Sequence, residues 1–336
     1  MLKNINVSVS PHIRTKDTTS RIMLDVCIAL LFPLGAGVYA FGISALYVIL
    51  VSVISCVLSE YIYQKLMRKP NVKFSRQKTS IGDLSAVVTG LILAVNLPST
   101  VPLWVPAIGG VFAIVVVKQL FGGLGQNFMN PALAARCFLL ISLAGIMTKF
   151  PTEVNHFFPV ADAVSTATPM GMLKLGETTD WFNMVFNTHS GCIGEASALA
   201  VLIGALYMVI RKVIDVKIPL VYISSAVVFF IIIQLIKGTE DVLTVNYLVT
   251  QICGGGLLVG AFFMATDYVT CPITPLGKII YALILGFMTV IIRVVSPNVE
   301  GVSLAIIIGN MISPLIEKYT VPKAFGLKRE KGGKTA

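Results

Sequence analysis

Asp162, Ser165, Thr166 and Thr168 bring a carboxylate and three hydroxyls close together in a largely apolar sequence, in the run Asp162-Ala163-Val164-Ser165-Thr166-Ala167-Thr168-Pro169. A threonine or serine hydroxyl is an ordinary polar group. Any covalent chemistry on it needs a modifying enzyme that recognises the surrounding residues, and such an enzyme would leave a spaced motif. A polar loop of small residues accounts for the same run equally well.

Ionisable groups within or beside apolar stretches are the second candidate chemistry, because they are costly there and mark ion or proton routes. Glu60 and Glu317 sit near the ends of such stretches, where a carboxylate is expected to reach the membrane interface. Asp25 lies one turn into its stretch, where it would cap the helix or pair with Arg21. Asp83 and Asp267 each border a short, glycine-containing span and are carried forward as candidate ion-route residues. A carboxylate beside free backbone carbonyls suits a hard cation such as sodium, while a cap at a helix start explains Asp83 as well. Gly122, Gly123 and Gly125 read as a tight turn or a phosphate loop, and Gly254-Gly255-Gly256 as close helix packing. The six cysteines and three histidines are scattered, so neither a catalytic residue nor a metal site is expected from this chain alone.

These groups need a membrane scaffold to hold them. Charged residues make up 12% of the 336 residues, against roughly 25% in soluble domains, and mean hydropathy is +0.86. Spans are expected near 22–41, 43–63, 83–97, 101–117, 131–147, 195–210, 218–236, 252–266, 277–295 and 301–317. No cleavable signal peptide is expected, since the first apolar run is long enough to span. The net charge of +10 lies in short connections, where it orients the chain in the bilayer instead of binding nucleic acid. With about ten spans, the basic clusters before the first span, at 65–78, at 211–217 and in the tail all fall on one side, the cytoplasmic one. Both termini are then cytoplasmic and the 148–194 connection is extracytoplasmic.

Weak internal repetition accompanies this pattern. Phe112-x-x-Val115-x-x-Lys118 recurs as Phe287-x-x-Val290-x-x-Arg293, and Asn127-x-x-Asn130-Pro131 as Asn310-x-x-Ser313-Pro314. Five spans in each half would invert the second copy. The expected fold is an all-α integral membrane protein of about ten transmembrane helices, in two inverted five-helix repeats with short broken helices. Residues 1–147 form the first repeat, 148–194 the outer connection, 195–320 the second repeat and 321–336 a basic tail.

Several motifs in order resemble one family. Asp162-x-x-Ser165-x-Ala167-Thr168 resembles the flavinylation motif of the Rnf and sodium-pumping quinone reductase families. Ser8-Val9-Ser10-Pro11-His12-Ile13-Arg14, Asp83-Leu84-Ser85-Ala86, Gly122-Gly123-Leu124-Gly125-Gln126-Asn127 and Ala261-Phe262-Phe263-Met264-Ala265-Thr266-Asp267 are similar to the RnfD family of membrane proteins. The resemblance implies flavin mononucleotide (FMN) joined by a phosphoester to Thr168, with Asp162, Ser165 and Ala167 as the rest of the motif. Thr166 stands where the family often has glycine, and so offers a competing hydroxyl. The resemblance also implies a non-covalent flavin such as riboflavin, and a bacterial inner membrane. Its implied partners are the other Rnf proteins (RnfA, RnfB, RnfC, RnfE and RnfG) and a flavin transferase for maturation.

The activity so implied is electron transfer between ferredoxin and NAD+ coupled to Na+ or H+ movement. The sequence has no G-x-G-x-x-G after a strand, no Walker loop and no soluble nucleotide domain, so those substrates would bind other members of the complex. The NqrB component of a sodium-pumping NADH:quinone reductase is the nearest alternative, although that family usually has a longer amino-terminal region. A small-solute channel or transporter is the alternative from another class.

Overall fold

The computed structural model describes residues 18–67, 80–151, 168–175, 180–237, 244–296 and 301–322. These are helical, with no strand among the described residues. Helices α1 (Thr19–Phe41) and α2 (Ile43–Leu66) are long and joined at Gly42. Helix α3 (Ser85–Val95) is short, and α4 (Trp104–Val111) runs on as a π-helix over Phe112–Gln119. Helices α5 (Pro131–Ser142) and α6 (Ala144–Met147) lead to the 148–194 connection, which carries α7 (Pro169–Lys174) and α8 (Trp181–Phe186).

The rest begins with α9 (Ala198–Ile210) and α10 (Lys217–Lys237). Next come α11 (Val245–Cys253) and α12 (Leu257–Val259), the latter continuing as a π-helix over Gly260–Met264. Helices α13 (Pro275–Val295) and α14 (Val302–Thr320) complete it. Five helices are long and apolar enough to cross a membrane: α1, α2, α10, α13 and α14. The pair formed by α11 and Leu257–Met264, bent by 54°, makes a sixth if taken as one span. Helices α3, α5 and α9, and the run Trp104–Gln119, are apolar but shorter. The protein is therefore a multi-pass, all-helical membrane protein.

Helix starts follow from local chemistry. Thr18 Oγ1 accepts from Arg21 N at 3.3 Å, and Asn130 Oδ1 from Ala132 N at 3.1 Å with Pro131 at the first helical position. Thr274 Oγ1 accepts from Gly277 N at 3.1 Å ahead of Pro275 in the same way. On α2, Leu46, Leu50, Ile54 and Leu58 recur every fourth residue and are all exposed, a stripe that suits lipid or a neighbouring protein. The opposite faces pack inward. Helix α1 packs on α9 and α5 on α14, while α2 packs on α4 and α10 on α13.

The expected span at 252–266 differs in one respect. Its helix starts earlier, at Val245, and is interrupted at Gly254-Gly255-Gly256. Gly255 (φ 62°) and Gly256 (φ 70°) adopt the left-handed backbone that glycine tolerates, so these residues make a break in the span. Close packing is present as well, because a Cβ on Gly254 would lie 2.9 Å from Met170 Cγ. Gly122, Gly123 and Gly125 also have positive φ and form a turn before α5.

Candidate functional site

Thr168 is half-buried and serves as the N-cap of α7, its Oγ1 accepting from Gly171 N at 3.2 Å. The polar-loop reading of this residue thus has a concrete basis: Thr168 and Pro169 start a helix. Asp162, Ser165, Thr166 and Ala167 lie outside the described residues. Met170 and Leu173, on α7, form part of the wall of a cavity of about 330 Å³, called here the α7 cavity. Its other walls come from α10, α11 and α13, through Phe230, Tyr247, Gln251 and Arg293 among others. The volume lies within the roughly 300–1,000 Å³ typical of small-molecule sites.

Arg293 in this wall is grouped electrostatically with Glu195, which also faces a second buried arginine, Arg136. Arg136 on α5 donates from Nε to Asn96 O at 3.2 Å, from Nη2 to Cys192 Sγ at 3.7 Å, and from Nη1 to Ser303 Oγ on α14. Arg293 on α13 donates from Nη1 to Gln251 O (2.7 Å) and Oε1 (3.1 Å), and from Nη2 to Gly254 O (3.1 Å) and Gly255 O (3.0 Å). The break in the α11 span therefore supplies acceptors for a buried cation. Glu195 faces both arginines, Arg136 more strongly. Two residues before it, Ile193 N donates to Leu97 O at 3.0 Å, tying this stretch to the chain just past the end of α3.

His189, in the same connection, hydrogen-bonds Ala196 O through its backbone N at 3.1 Å. Burial lowers its imidazole to about 4, against a smaller opposing effect of the Asn187 backbone.

A second polar cluster is built from α2, the start of α3 and the π-helix that follows α4. Lys118 Nζ donates to Glu60 Oε1 at 3.0 Å and Oε2 at 3.1 Å, and to Ser85 Oγ at 2.7 Å. Gln119 Nε2 donates to Glu60 Oε1 at 2.8 Å. Glu60 is thus fully buried and paired, which corrects the expectation that it reaches the interface. Asp25 likewise does not pair with Arg21. It accepts from Arg211 Nη2 at 3.1 Å and from Tyr207 Oη at 3.0 Å, joining α1 to α9.

Asp83 acts as a cap: its Oδ1 accepts from Ser85 N at 2.9 Å and Ser85 Oγ at 2.5 Å. Asp267 accepts from Thr270 Oγ1 at 3.1 Å and Val269 N at 3.4 Å, and burial raises its carboxyl pKa. Ser85, Lys118 and Asp267 share one cavity of about 90 Å³, lined also by Thr89, Asn127 and Asn130. The structure therefore brings the two candidate ion-route regions to one place, Asp83 through its partner Ser85. It keeps both away from Thr168, whose neighbours are the α7 cavity and the break at Gly254–Gly256.

With this geometry in view, comparison with known proteins is decisive. The sequence model of the NQR2, RnfD, RnfE family matches residues 6–326. The chain belongs to that family. Among its relatives is the D component of the Na+-translocating ferredoxin:NAD+ oxidoreductase complex of Acetobacterium woodii. It is 44% identical over 334 residues, covering 98% of this chain and 97% of the relative. The D component of the proton-translocating ferredoxin:NAD+ oxidoreductase complex of Clostridium ljungdahlii is 40% identical, covering 97% of this chain and 98% of the relative. The D component of an ion-translocating oxidoreductase complex of Methanosarcina acetivorans is 32% identical over 97% of this chain and 98% of the relative.

Family membership frames what the motifs left out. The Glu60–Lys118 pair and the four carbonyl-type acceptors of Arg293 have no local sequence signal, because their members are far apart in the chain. In the sequence Lys118 and Arg293 stand out as ionisable groups within apolar stretches and through the recurrence of Phe-x-x-Val-x-x-Lys/Arg, neither of which names a partner. The Asn-x-x-Asn/Ser-Pro match has a different outcome: Asn130-Pro131 starts α5, whereas Pro314 lies inside α14.

Proposed function

We propose that this chain is the flavin-bearing membrane component of an Rnf-type complex, which couples ferredoxin:NAD+ electron transfer to Na+ or H+ translocation. FMN is carried as a phosphoester on Thr168. The observation that carries this reading is the end-to-end match to relatives named as the D component of such complexes, joined to the Asp162-to-Thr168 spacing. Those relatives carry both sodium-translocating and proton-translocating names, so the coupling ion is left as either. The NADH:quinone reductase reading shares the family but not the names of these relatives.

Ten spans result when the bent pair and the four shorter apolar helices are counted with the five long ones. The like packing of α2 on α4 and of α10 on α13 supports two five-span halves, residues 1–147 and 195–320, related by inversion. Basic connections then set both termini in the cytoplasm of a bacterial inner membrane, and the 148–194 connection outside.

The residues around Thr168 fit an attached flavin. The hydroxyl is half-exposed at the tip of a short helix, and that helix opens onto a cavity of small-molecule size. Bound flavin supplies one-electron redox chemistry at this point. The chain contributes the anchoring hydroxyl, the fixed position of α7, and low-dielectric walls that exclude water. An outward flavin cannot alone exchange electrons with cytoplasmic ferredoxin across a hydrocarbon core of ~30 Å. A second, non-covalent flavin such as riboflavin is therefore part of the reading. The Asp267 cavity, at about 90 Å³, is too small to receive that ring as it stands, so the second flavin is given no pocket here. The other Rnf proteins and a flavin transferase complete the set of partners.

In-gel ultraviolet fluorescence after denaturation tests the covalent bond. Thr168→Asn keeps an N-cap acceptor but offers no hydroxyl. The fluorescent band should vanish in that variant while membrane levels hold. A band that persists would refute the attachment site.

A further inference from the structure

Arg293 is 3% exposed, and its Nε has no hydrogen-bond partner among the described residues. Its four acceptors are neutral carbonyl and amide oxygens, and Glu195 interacts more strongly with Arg136. A guanidinium stays charged in proteins. The α7 cavity therefore has a buried cation in its wall with one N–H left unsatisfied, which is costly unless a ligand provides an acceptor.

The neighbouring wall is a hydrogen-bonded belt. Gln234 Nε2 and Gln251 Nε2 both donate to Tyr247 Oη, at 2.6 and 3.2 Å. Opposite it stand the apolar Met170, Leu173 and Phe230, and the Phe230 ring centroid is 5.7 Å from Arg293 Cζ. Apolar faces with one polar, cationic edge match a flat fused ring whose acceptors are gathered at one end. Met170 is two residues from Thr168, so a group tethered there needs only its own linker to enter.

We propose that the α7 cavity receives the fused ring of the flavin carried by Thr168, and that Arg293 sets that ring's affinity for electrons. This rests on the attachment proposed above. Each electron taken from a one-electron iron–sulfur donor adds a negative charge to the ring. With two electrons and one proton, one negative charge still remains, on the side carrying the ring's carbonyl oxygens. A buried unit cation beside the ring stabilises that charge in a site of low effective dielectric. Partial screening still leaves at least a tenfold effect on the reduction equilibrium.

The test uses the full-length chain, produced with a flavin transferase and purified in detergent. Reductive titration follows flavin absorbance, with a Thr168→Val sample subtracted. Arg293→Gln should shift the reduction equilibrium at least tenfold toward the oxidised ring, a midpoint about 59 mV lower for one electron. Arg293→Lys should recover most of it. Because Arg293 also braces the α11 break, a second variant leaves it intact: Leu173→Trp fills the cavity from α7. Visible circular dichroism of the flavin, strong for a ring held in a fixed site, should collapse in Leu173→Trp while the denatured-gel band stays. If Arg293→Gln does not fold, the Leu173→Trp result decides. A gel band that persists with an unshifted midpoint and unchanged dichroism would overturn the proposal and leave the Thr168 attachment standing. A missing band in the unmodified chain would instead remove the attachment, and this inference with it.

Discussion

Lys118 donates to both carboxylate oxygens of Glu60, at 3.0 and 3.1 Å, across 58 residues of sequence and with side chains 3% and 0% exposed. Breaking such a pair is costly because the partner is left as an uncompensated buried charge. Lys118→Met should therefore destabilise the protein by about 3–5 kcal/mol. The double variant Glu60→Gln with Lys118→Met should lose clearly less. Denaturant unfolding in detergent, analysed as a double-mutant cycle, checks this. Additive losses would mean the two side chains do not act as a pair.

His189 gives a pH dependence with a definite sign. Its folded-state value of about 4 lies below the ordinary 6.5, so the folded protein prefers the neutral ring. That contribution is complete above 6.5, is lost as pH falls toward 4, and amounts to at most about 1.4 kcal/mol per pH unit. His189→Gln should flatten thermal stability across this acidic window. A variant that loses stability on acidification as steeply as the parent would assign the slope to other groups.

Asp162 is expected to serve recognition by the flavin transferase and not folding. Asp162→Ala should cut flavin incorporation, read as in-gel fluorescence per mole of protein, with membrane levels near normal. Full incorporation would show that the acidic end of the motif is dispensable.

Orientation follows from the placement of basic residues. A cysteine at Thr178, in a cysteine-free background, should react with an impermeant maleimide in intact cells. One at Gln77 should react only after the membrane is opened. The reverse pattern would invert the electron route.

Much of this was legible in the sequence, and the gaps have physical causes. Each expected span meets a helix, because runs of about twenty apolar residues have few other solutions in a membrane. The glycine run at 254–256 marked a special place, but its role as a break could not be read locally. That role involves Arg293, which comes 37 residues after Gly256 and donates to the Gly254 and Gly255 carbonyls. Asp25 was matched to the nearest basic residue, Arg21, when the fold brings Arg211 from the end of α9. Composition and periodicity reveal which face is apolar. They do not reveal which distant polar groups meet inside. Thr168 shows the same limit: the motif marks it as an acceptor, while its N-cap role emerges only with α7.

Whether Thr168 carries the flavin is decided by peptide mass mapping of residues 150–174, from protein made in cells with the transferase. This peptide should gain the mass of FMN less one water, with fragmentation assigning the addition to Thr168. An unmodified peptide, or an addition on Thr166, would contradict this attachment.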